Sequence, residues 1–289
     1  MKGLLMVNAF LRQRKFGELY DALQTAALEN AMTLEMRGND ELALLCEASP
    51  ETLKAYDFVL LWDKDYYVAR AMEEKGLRLF NRADAMLRCD DKALTYLSLL
   101  PTGLPMPRTI LCPKTFPAVG YPQTAFLRAV GERLGFPLVL KECFGSFGQQ
   151  VYLIDSPQAL EEKVLLLGAT PMLFQALVQE SYGRDARINV VGGRVAAAML
   201  RTGRAGDFRS NISAGGSMQA YTPTAAEAAL AIRATAALGL DFAGVDVLFG
   251  SEGPVLCEVN SNAHFISTLQ ATGVNMASEI IGYIAGQLR

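Results

Sequence analysis

Three oxygen-bearing side chains in the C-terminal third of the chain have the spacing of a cation site. Glu258-Val259-Asn260 ends a short apolar stretch, and side chains two residues apart on a β-strand point to the same face. Asp246 interrupts the otherwise apolar run 242–249, where a charge is costly unless it is paired or binds a metal. If the two strands are antiparallel neighbours, Asp246, Glu258 and Asn260 converge, and such hard oxygen ligands favour Mg²⁺ or Mn²⁺. For Glu258 and Asn260 alone, ordinary hydrogen bonding by strand-end side chains is an equal alternative.

Basic residues and a glycine-containing loop are candidates for binding phosphate. Lys141 ends the apolar strand 137–140, and Phe144-Gly145-Ser146-Phe147-Gly148 follows it. This loop lacks the GK[ST] of a P-loop and leads into a strand, so it is not a Walker A site. It is either a phosphate-covering hairpin loop or an ordinary turn. Arg201, Arg204 and Arg209 form either an anion clamp or a solvated loop, and Asp185 with Arg187 is compatible with a surface ion pair.

Composition excludes several other classes of protein. The chain has 289 residues, of which 51% are hydrophobic, and a net charge of −3, which argues against a general nucleic-acid or anionic-membrane binder. No apolar run reaches the roughly 18–20 residues of a membrane-spanning helix. His264 is the only histidine, so a His-rich zinc site is excluded. The five cysteines lack CxxC spacing, and we expect reduced, mostly buried thiols in a cytoplasmic protein: Cys46, Cys89, Cys112, Cys143 and Cys257.

The patterning of apolar residues predicts an α/β N-terminal part followed by a longer region of further strands and helices. In the N-terminal part, strands are expected at 4–9, 58–62 and 77–80 and helices at 16–30 and 66–75, as in a parallel α/β domain. Helices at 84–100 and a proline-rich connector at 101–122 come next. Further strands are predicted at 138–141, 150–154, 187–191, 194–200, 244–249 and 255–259, and further helices at 124–134, 223–238 and 275–288. We assign Thr222 as the N-cap of the helix at 223–238, with Pro223 as its first residue.

Six segments in fixed order resemble one family. They are DDKALTYLSLLPTGLPMPRT (90–109), PLVLKECFGSFGQQV (137–151), FQALVQESYGRDARINVVGG (174–193), AAMLRTGRAGDFRSNISAGG (197–216), LGLDFAGVDVLFG (238–250) and CEVNSNAHF (257–265). The chain thereby resembles ATP-grasp carboxylate–amine ligases of the RimK-like α-L-glutamate ligase branch. The resemblance implies an α/β (α+β) fold, with a small parallel-sheet domain at 1–89 before a two-lobed ATP-grasp core with antiparallel sheets. The two lobes would be 90–175, with the phosphate loop, and 176–289, with the metal and substrate site.

The same resemblance implies a role for each matching position. Lys92 and Lys141 correspond to the lysines that hold the nucleotide phosphates, and Gly145, Ser146, Phe147 and Gly148 to the loop that closes over them. Gln175, Ala176, Leu177 and Val178 correspond to the adenine-contacting linker, and Asp185 to the acid that meets the ribose. Arg187 is assigned to the nucleotide site, and Arg201, Arg209 and Asn211 to catalysis around the γ-phosphate and the acyl substrate. Asp246, Glu258 and Asn260 correspond to the ligands of Mg²⁺ or Mn²⁺.

These assignments predict an enzyme that uses ATP to join a carboxylate to an amine through an acyl phosphate, releasing ADP and phosphate. Glutamate or another amino acid would be added to a peptide, a protein or a small molecule, and a homo-oligomer is compatible with the sequence. The chain departs from the family where Ala176 replaces a common Glu and where Ser261-Asn262-Ala263-His264-Phe265 replaces a common Pro-Gly. Two alternatives are a non-catalytic ATP-binding protein and a nucleotide-dependent dehydrogenase. The dehydrogenase interpretation is weak, because Asn8-Ala9-Phe10 stands at the first strand–helix turn, where the GxGxxG motif of a dinucleotide-binding domain is expected.

Overall fold

A computed structural model describes residues 1–11, 13–47, 53–146, 148–211 and 215–289, apart from the side chain of Cys46. The described strands form three sheets. One is parallel, and the other two are antiparallel. The predicted mixed α/β fold class is confirmed.

The N-terminal sheet has the strand order β2-β1-β3-β4, and all its strands are parallel. The strands are β1 (Lys2–Val7), β2 (Thr33–Gly38), β3 (Phe58–Leu61) and β4 (Leu79–Phe80). The helices of this part are α1 (Arg14–Glu29), α2 (Asn39–Glu47), α3 (Tyr66–Glu74) and α4 (Ala83–Asp90). Along β1, Leu4 and Met6 pack into one apolar cluster, and Leu5 and Val7 into another. Helices therefore cover both faces, which explains why β1 is continuously apolar.

The second sheet carries the glycine-containing loop. Its order is β5-β8-β6-β7, with antiparallel pairing throughout. The strands are β5 (Thr109–Leu111), β6 (Leu138–Glu142), β7 (Val151–Ile154) and β8 (Met172–Ala176). Helices α6 (Phe126–Leu134) and α7 (Pro157–Leu167) contribute to its apolar core, while α5 (Lys92–Leu99) leads into this region from the N-terminal part. The predicted hairpin around residues 142–150 is thus present as β6 and β7.

The third sheet carries most of the predicted chemistry. Its order is β11-β10-β9-β12-β13, and every neighbouring pair is antiparallel. The strands are β9 (Arg184–Val191), β10 (Arg194–Thr202), β11 (Ser217–Ala220), β12 (Phe242–Gly250) and β13 (Gly253–Asn260). The helices of this region are α8 (Ala225–Leu238), α9 (Ile266–Thr272) and α10 (Met276–Gln287).

Asn81, at the end of β4, joins the N-terminal sheet to the third sheet. It is fully buried. Its Nδ2 donates to the carbonyls of Phe242 and Ser261, and its Oδ1 accepts from the backbone N–H groups of Asp241 and Phe242. Trp62 also stacks on Phe242. Four hydrogen bonds to a buried amide fix the N-terminal domain against the start of β12, so both sides of the cavity described below share one framework.

Two local predictions need correction. The N-cap of α8 is Thr224, not Thr222, and the helix begins at Ala225. A capping box decides this position, because Thr224 and Glu227 bond reciprocally at the first turn. The sequence analysis also did not predict β2, α2, β5, α7, β8, β11 and α9.

In the described ranges, every helix is too short or too polar to cross a bilayer. Cys89, Cys112, Cys143 and Cys257 are free thiols, as predicted. The domain boundaries at residues 89 and 175 remain predictions.

Candidate active site

A cavity of about 680 Å³ lies between the three sheets. Every predicted site residue that the structure describes lines it; Phe147 lies outside the described residues. These lining residues are Lys92, Lys141, Gly145, Ser146, Gly148, Gln175, Ala176, Leu177, Val178, Asp185, Arg187, Arg201, Arg209, Asn211, Asp246, Glu258 and Asn260. Arg204, the third arginine of the candidate clamp, is exposed and does not line the cavity.

The antiparallel register of the third sheet brings the predicted metal ligands together. Asp246 lies directly opposite Glu258, and Gly244 directly opposite Asn260. Directly opposed residues of antiparallel strands share a face, so Asp246, Glu258 and Asn260 occupy one side of β12 and β13. Gly244 allows Ala263 to pack closely against β12, because a Cβ at position 244 would lie 2.4 Å from the Cβ of Ala263.

The cavity face of this sheet also contains a buried ladder of alternating charges. Arg201 Nε and Nη2 lie 2.7 and 2.5 Å from the two carboxylate oxygens of Asp185, and Nη2 is 2.9 Å from Asp246 Oδ2. Arg187 contacts Asp246 through Nε and also through Nη2, at 2.8 Å. Ser210 donates its hydroxyl to Asp185 at 2.6 Å. Asp185, Arg201 and Asp246 are all less than 9% exposed, so these pairs lie where water screens them least.

The ladder sets the protonation state of Asp246. Burial is the largest single influence and opposes ionisation, but Arg187 and Arg201 together outweigh it, so the pKa of Asp246 lies below its usual value. For Arg201, burial alone would lower the pKa, whereas Asp246 and Asp185 raise it overall. The sequence analysis anticipated Asp246 as a costly buried charge. It did not anticipate that two arginines already pair with it in this conformation.

The oxygen donors present suit a small divalent cation bound jointly with phosphate. No group of three or more His, Cys, Asp or Glu side chains in the described ranges is suited to hold a metal alone. Glu258 and Asn260 nevertheless offer a carboxylate and an amide oxygen beside Asp246. Mg²⁺ commonly needs only one or two carboxylates when phosphates complete its coordination. This set therefore fits Mg²⁺, and its assignment as the metal site remains a prediction.

Cations surround the glycine-containing loop. Lys92 Nζ is 3.4 Å from the carbonyl of Gly145 and 3.5 Å from Glu258 Oε1. Arg209 Nη1 donates to the carbonyl of Gly148 at 2.9 Å. Gly148 has φ +70°, and a Cβ there would meet the Asn211 amide at 2.6 Å. Any other residue at this position would therefore be strained by its backbone conformation and by the clash with Asn211. The loop after β6 and the loop after β10 therefore already touch.

The predicted adenine linker begins at the end of β8. The Ala176 N–H bonds the carbonyl of Arg108, and Gln175 Nε2 donates to Thr109 Oγ1 at 2.9 Å. Leu177 and Val178 follow immediately after the strand. All four linker residues line the cavity, and Ala176 stands where the resemblance leads us to expect Glu.

Several further residues line the cavity. Those from the N-terminal part had no predicted role, whereas the segment 261–265 was expected near the substrate end, with His264 either orienting a substrate or serving a structural role. Lys15, Phe16, Trp62, Asp63 and Lys64 come from the N-terminal part, and Asn262 and His264 from the segment after β13. Asn262 Nδ2 bonds the carbonyl of Asp63 at 2.6 Å, and His264 Nε2 lies 3.2 Å from the carbonyl of Lys15. Burial lowers the pKa of His264. No local signal in residues 15–64 indicated their role, because only the docking of the N-terminal sheet brings them to the cavity.

Cys257 is another lining residue without a predicted role. The pairing of β12 with β13 shifts register between Asp246 and Val247, so Cys257 lies in a β-bulge beside Glu258. Its sulfur is 3.8 Å from Lys141 Nζ. Burial raises the pKa of the thiol to about 11, although Lys141 acts in the opposite direction. The side chain is thus a neutral group next to one of the predicted phosphate lysines.

Two named proteins are similar in sequence to this chain. Beta-citrylglutamate synthase B of Mus musculus is 33% identical over an alignment that covers 96% of this chain and 77% of the relative. A probable alpha-L-glutamate ligase of Parasynechococcus marenigrum is 36% identical over 76% of this chain, but that region is only 46% of the relative's length. Both names denote ligases or synthases, and the prediction of a ligase is confirmed at this level.

The fold is also shared with a solved structure. The RimK domain ATP-grasp protein from Sphaerobacter thermophilus matches with a TM-score of 0.74 and 21% identity, covering 98% of this chain and 99% of that one. The family model of the RimK-like ATP-grasp domain matches residues 89–284, which is about two thirds of the chain. The predicted family is confirmed: the chain belongs to the RimK-like ATP-grasp family.

Proposed function

We propose that the cavity binds ATP with its triphosphate between the lysines of the second sheet region and the oxygen ligands of the third sheet. The supporting observation is that Lys92, Lys141, Glu258 and Asn260 all line one cavity next to the loop of residues 143–150. Adenine would lie against Gln175–Val178, whose main chain borders the same space. The cations offset the triphosphate charge, and the loop N–H groups supply further donors.

Asp246, Glu258 and Asn260 are the residues that would hold Mg²⁺. A divalent cation held there would supply Lewis-acid stabilisation of the charge on the transferring phosphoryl group. In the described conformation Asp246 pairs with Arg187 and Arg201. We therefore propose that Glu258 and Asn260 are the more available ligands, and that Asp246 also serves to hold the two arginines near the transferring group.

The reaction we propose has two balanced steps. A carboxylate oxygen of the acyl substrate attacks the γ-phosphorus of ATP, the bond to the β-phosphate oxygen breaks, and ADP leaves. An amine then attacks the acyl carbon, and phosphate leaves with one oxygen of the former carboxylate, while the amine loses a proton. Such phosphoryl transfer depends mainly on positioning and electrostatics. Lys141, Arg201 and Arg209 would offset the developing charge, and Asn211 lies close enough to Gly148 to orient the loop.

The substrates would occupy the end of the cavity nearest the N-terminal sheet. Phe16 and Trp62 supply apolar lining from the N-terminal part, and Asp63 supplies a carboxylate. The relatives are named for glutamate ligation and for citrylglutamate synthesis. We propose glutamate or a similar amino acid as one substrate, joined to a peptide, a protein or a small molecule. The chain's own Ser261–Phe265 segment, which borders this end, would distinguish its partner substrate from those of its relatives.

Product analysis tests this function. Carboxylate and amine libraries are incubated with ATP and Mg²⁺, and products are identified by mass spectrometry. ADP, phosphate and an amide should appear in equal amounts, and ¹⁸O from a labelled carboxylate should appear in the phosphate. Formation of AMP and pyrophosphate, or phosphate without ¹⁸O, would contradict the acyl-phosphate route.

A further inference from the structure

A lysine of the N-terminal domain contacts the loop that we propose to cover the phosphates. Lys64 lies after β3, far in sequence from the ATP-grasp core. Its Nζ is 3.3 Å from Ser146 Oγ and 2.5 Å from Asp90 Oδ1 at the end of α4. Its side chain is 40% exposed and lines the cavity. Neither the sequence pattern nor the family comparison gave it a role.

The position of Lys64 completes a set of cations around this loop. Lys92 contacts the Gly145 carbonyl, Lys64 the Ser146 hydroxyl, and Arg209 the Gly148 carbonyl. The three come from α5, from the N-terminal sheet and from the loop after β10. Each holds a different point of the same short segment, and Ser146 is the only one of these three points contacted from the N-terminal domain.

Lys64 also has a partner outside the loop. Asp90 holds the ammonium group in an ion pair of 2.5 Å, and Asp91, the next residue, caps α5 by accepting from the N–H groups of Ala93 and Leu94. Asn81 holds the sheet that carries Lys64 against β12. Lys64 is therefore held by the N-terminal part as well as by its contact with Ser146.

We propose that Lys64 is a positioning residue for nucleotide binding: through Ser146 it holds the phosphate loop in the geometry that receives the triphosphate. This inference rests on the proposed function, since it assumes that the loop covers ATP. It assigns the N-terminal domain a part in binding the nucleotide, beyond its contact with the substrate end of the cavity.

Calorimetric titration with MgADP tests the inference in a double-mutant cycle of Lys64→Met, Ser146→Ala and the double variant. For an ammonium–hydroxyl bond that is partly exposed, each single change should weaken MgADP binding about three- to tenfold. The double variant should be no weaker than the weaker single variant, because both changes remove the same contact. Lys64→Arg should restore most of the affinity. The exposed Lys114, which is not a cavity residue, provides the matched control Lys114→Met, with affinity unchanged.

Turnover measurements separate positioning from a general structural effect. In Lys64→Met, KM for ATP should rise by the same factor as the MgADP dissociation constant, while KM for the amine and the thermal midpoint of the unliganded protein stay unchanged. MgADP affinity of Lys64→Met within twofold of wild type would overturn the inference, and so would single effects that multiply in the double variant. If wild type itself bound no MgADP, the proposed function would fail and this inference with it. Normal wild-type binding with an unaffected Lys64→Met would refute the inference alone.

Discussion

Replacing Arg201 with Met should destabilise the fold strongly, because Arg201 links two buried carboxylates. Its guanidinium makes contacts of 2.7 and 2.5 Å with Asp185 and of 2.9 Å with Asp246, and it is only 8% exposed. Removing one partner of a buried ion pair leaves uncompensated charge and typically costs about 3–5 kcal/mol. Asp185 keeps Ser210, and Asp246 keeps Arg187. We therefore expect the free energy of unfolding to fall by about 3–5 kcal/mol, and not by the sum of three separate bonds.

Urea unfolding followed by circular dichroism measures this loss, with two companion variants. Arg201→Lys keeps the charge but loses the bidentate geometry, so it should cost roughly half as much as Arg201→Met. Adding Asp185→Asn to Arg201→Met should recover part of the stability, because the carboxylate that Arg201→Met leaves without a cation is then neutral. A loss below about 1 kcal/mol in Arg201→Met, or a double variant less stable than the single one, would refute the buried-ladder explanation.

Three further predictions concern other parts of the molecule. Glu258→Gln should lower turnover by about a hundredfold or more with an unchanged fold, if it binds the cation and shares charge with Lys92; near-normal steady-state turnover would exclude this role. Because burial lowers the pKa of His264 below its ordinary 6.5, the unfolded state takes up the proton first as pH falls. The free energy of unfolding should therefore decrease as pH drops through about 6.5, and His264→Gln should remove this dependence; identical pH profiles of the two proteins from pH 7.5 to 5 would contradict it. Thr224→Ala should destabilise α8 by about 1 kcal/mol through loss of the capping box, and the exposed Thr222 is the matched control; equal effects at both positions in thermal unfolding would contradict the cap assignment.

The cation-site residues could be predicted because their signal is local. Glu258 and Asn260 lie two residues apart on one strand, and Asp246 interrupts an apolar strand. The two-residue period of a β-strand therefore already predicts which side chains share a face of the sheet. Their convergence then needs only that β12 and β13 be antiparallel neighbours, which the turn between them favours. The parallel N-terminal sheet was predictable for a similar reason, since its central strands are continuously apolar.

Other features depend on tertiary register and could not be read locally. The pairing of Arg187 and Arg201 with Asp246 arises from the order β10-β9-β12, which no short segment encodes. Strand β2 escaped prediction because its residues are mostly polar or half-exposed at a sheet edge. Lys64 escaped for the same reason as the other N-terminal cavity residues: its partner Ser146 is 82 residues away.

A crystal structure with a nonhydrolysable ATP analogue and Mn²⁺ tests the central claim most directly. The triphosphate is expected between Lys92 and Lys141, with the anomalous signal of Mn²⁺ next to Glu258 and Asn260 and adenine against Gln175–Val178. A triphosphate bound outside this cavity, or Mn²⁺ remote from Glu258 and Asn260, would contradict the account.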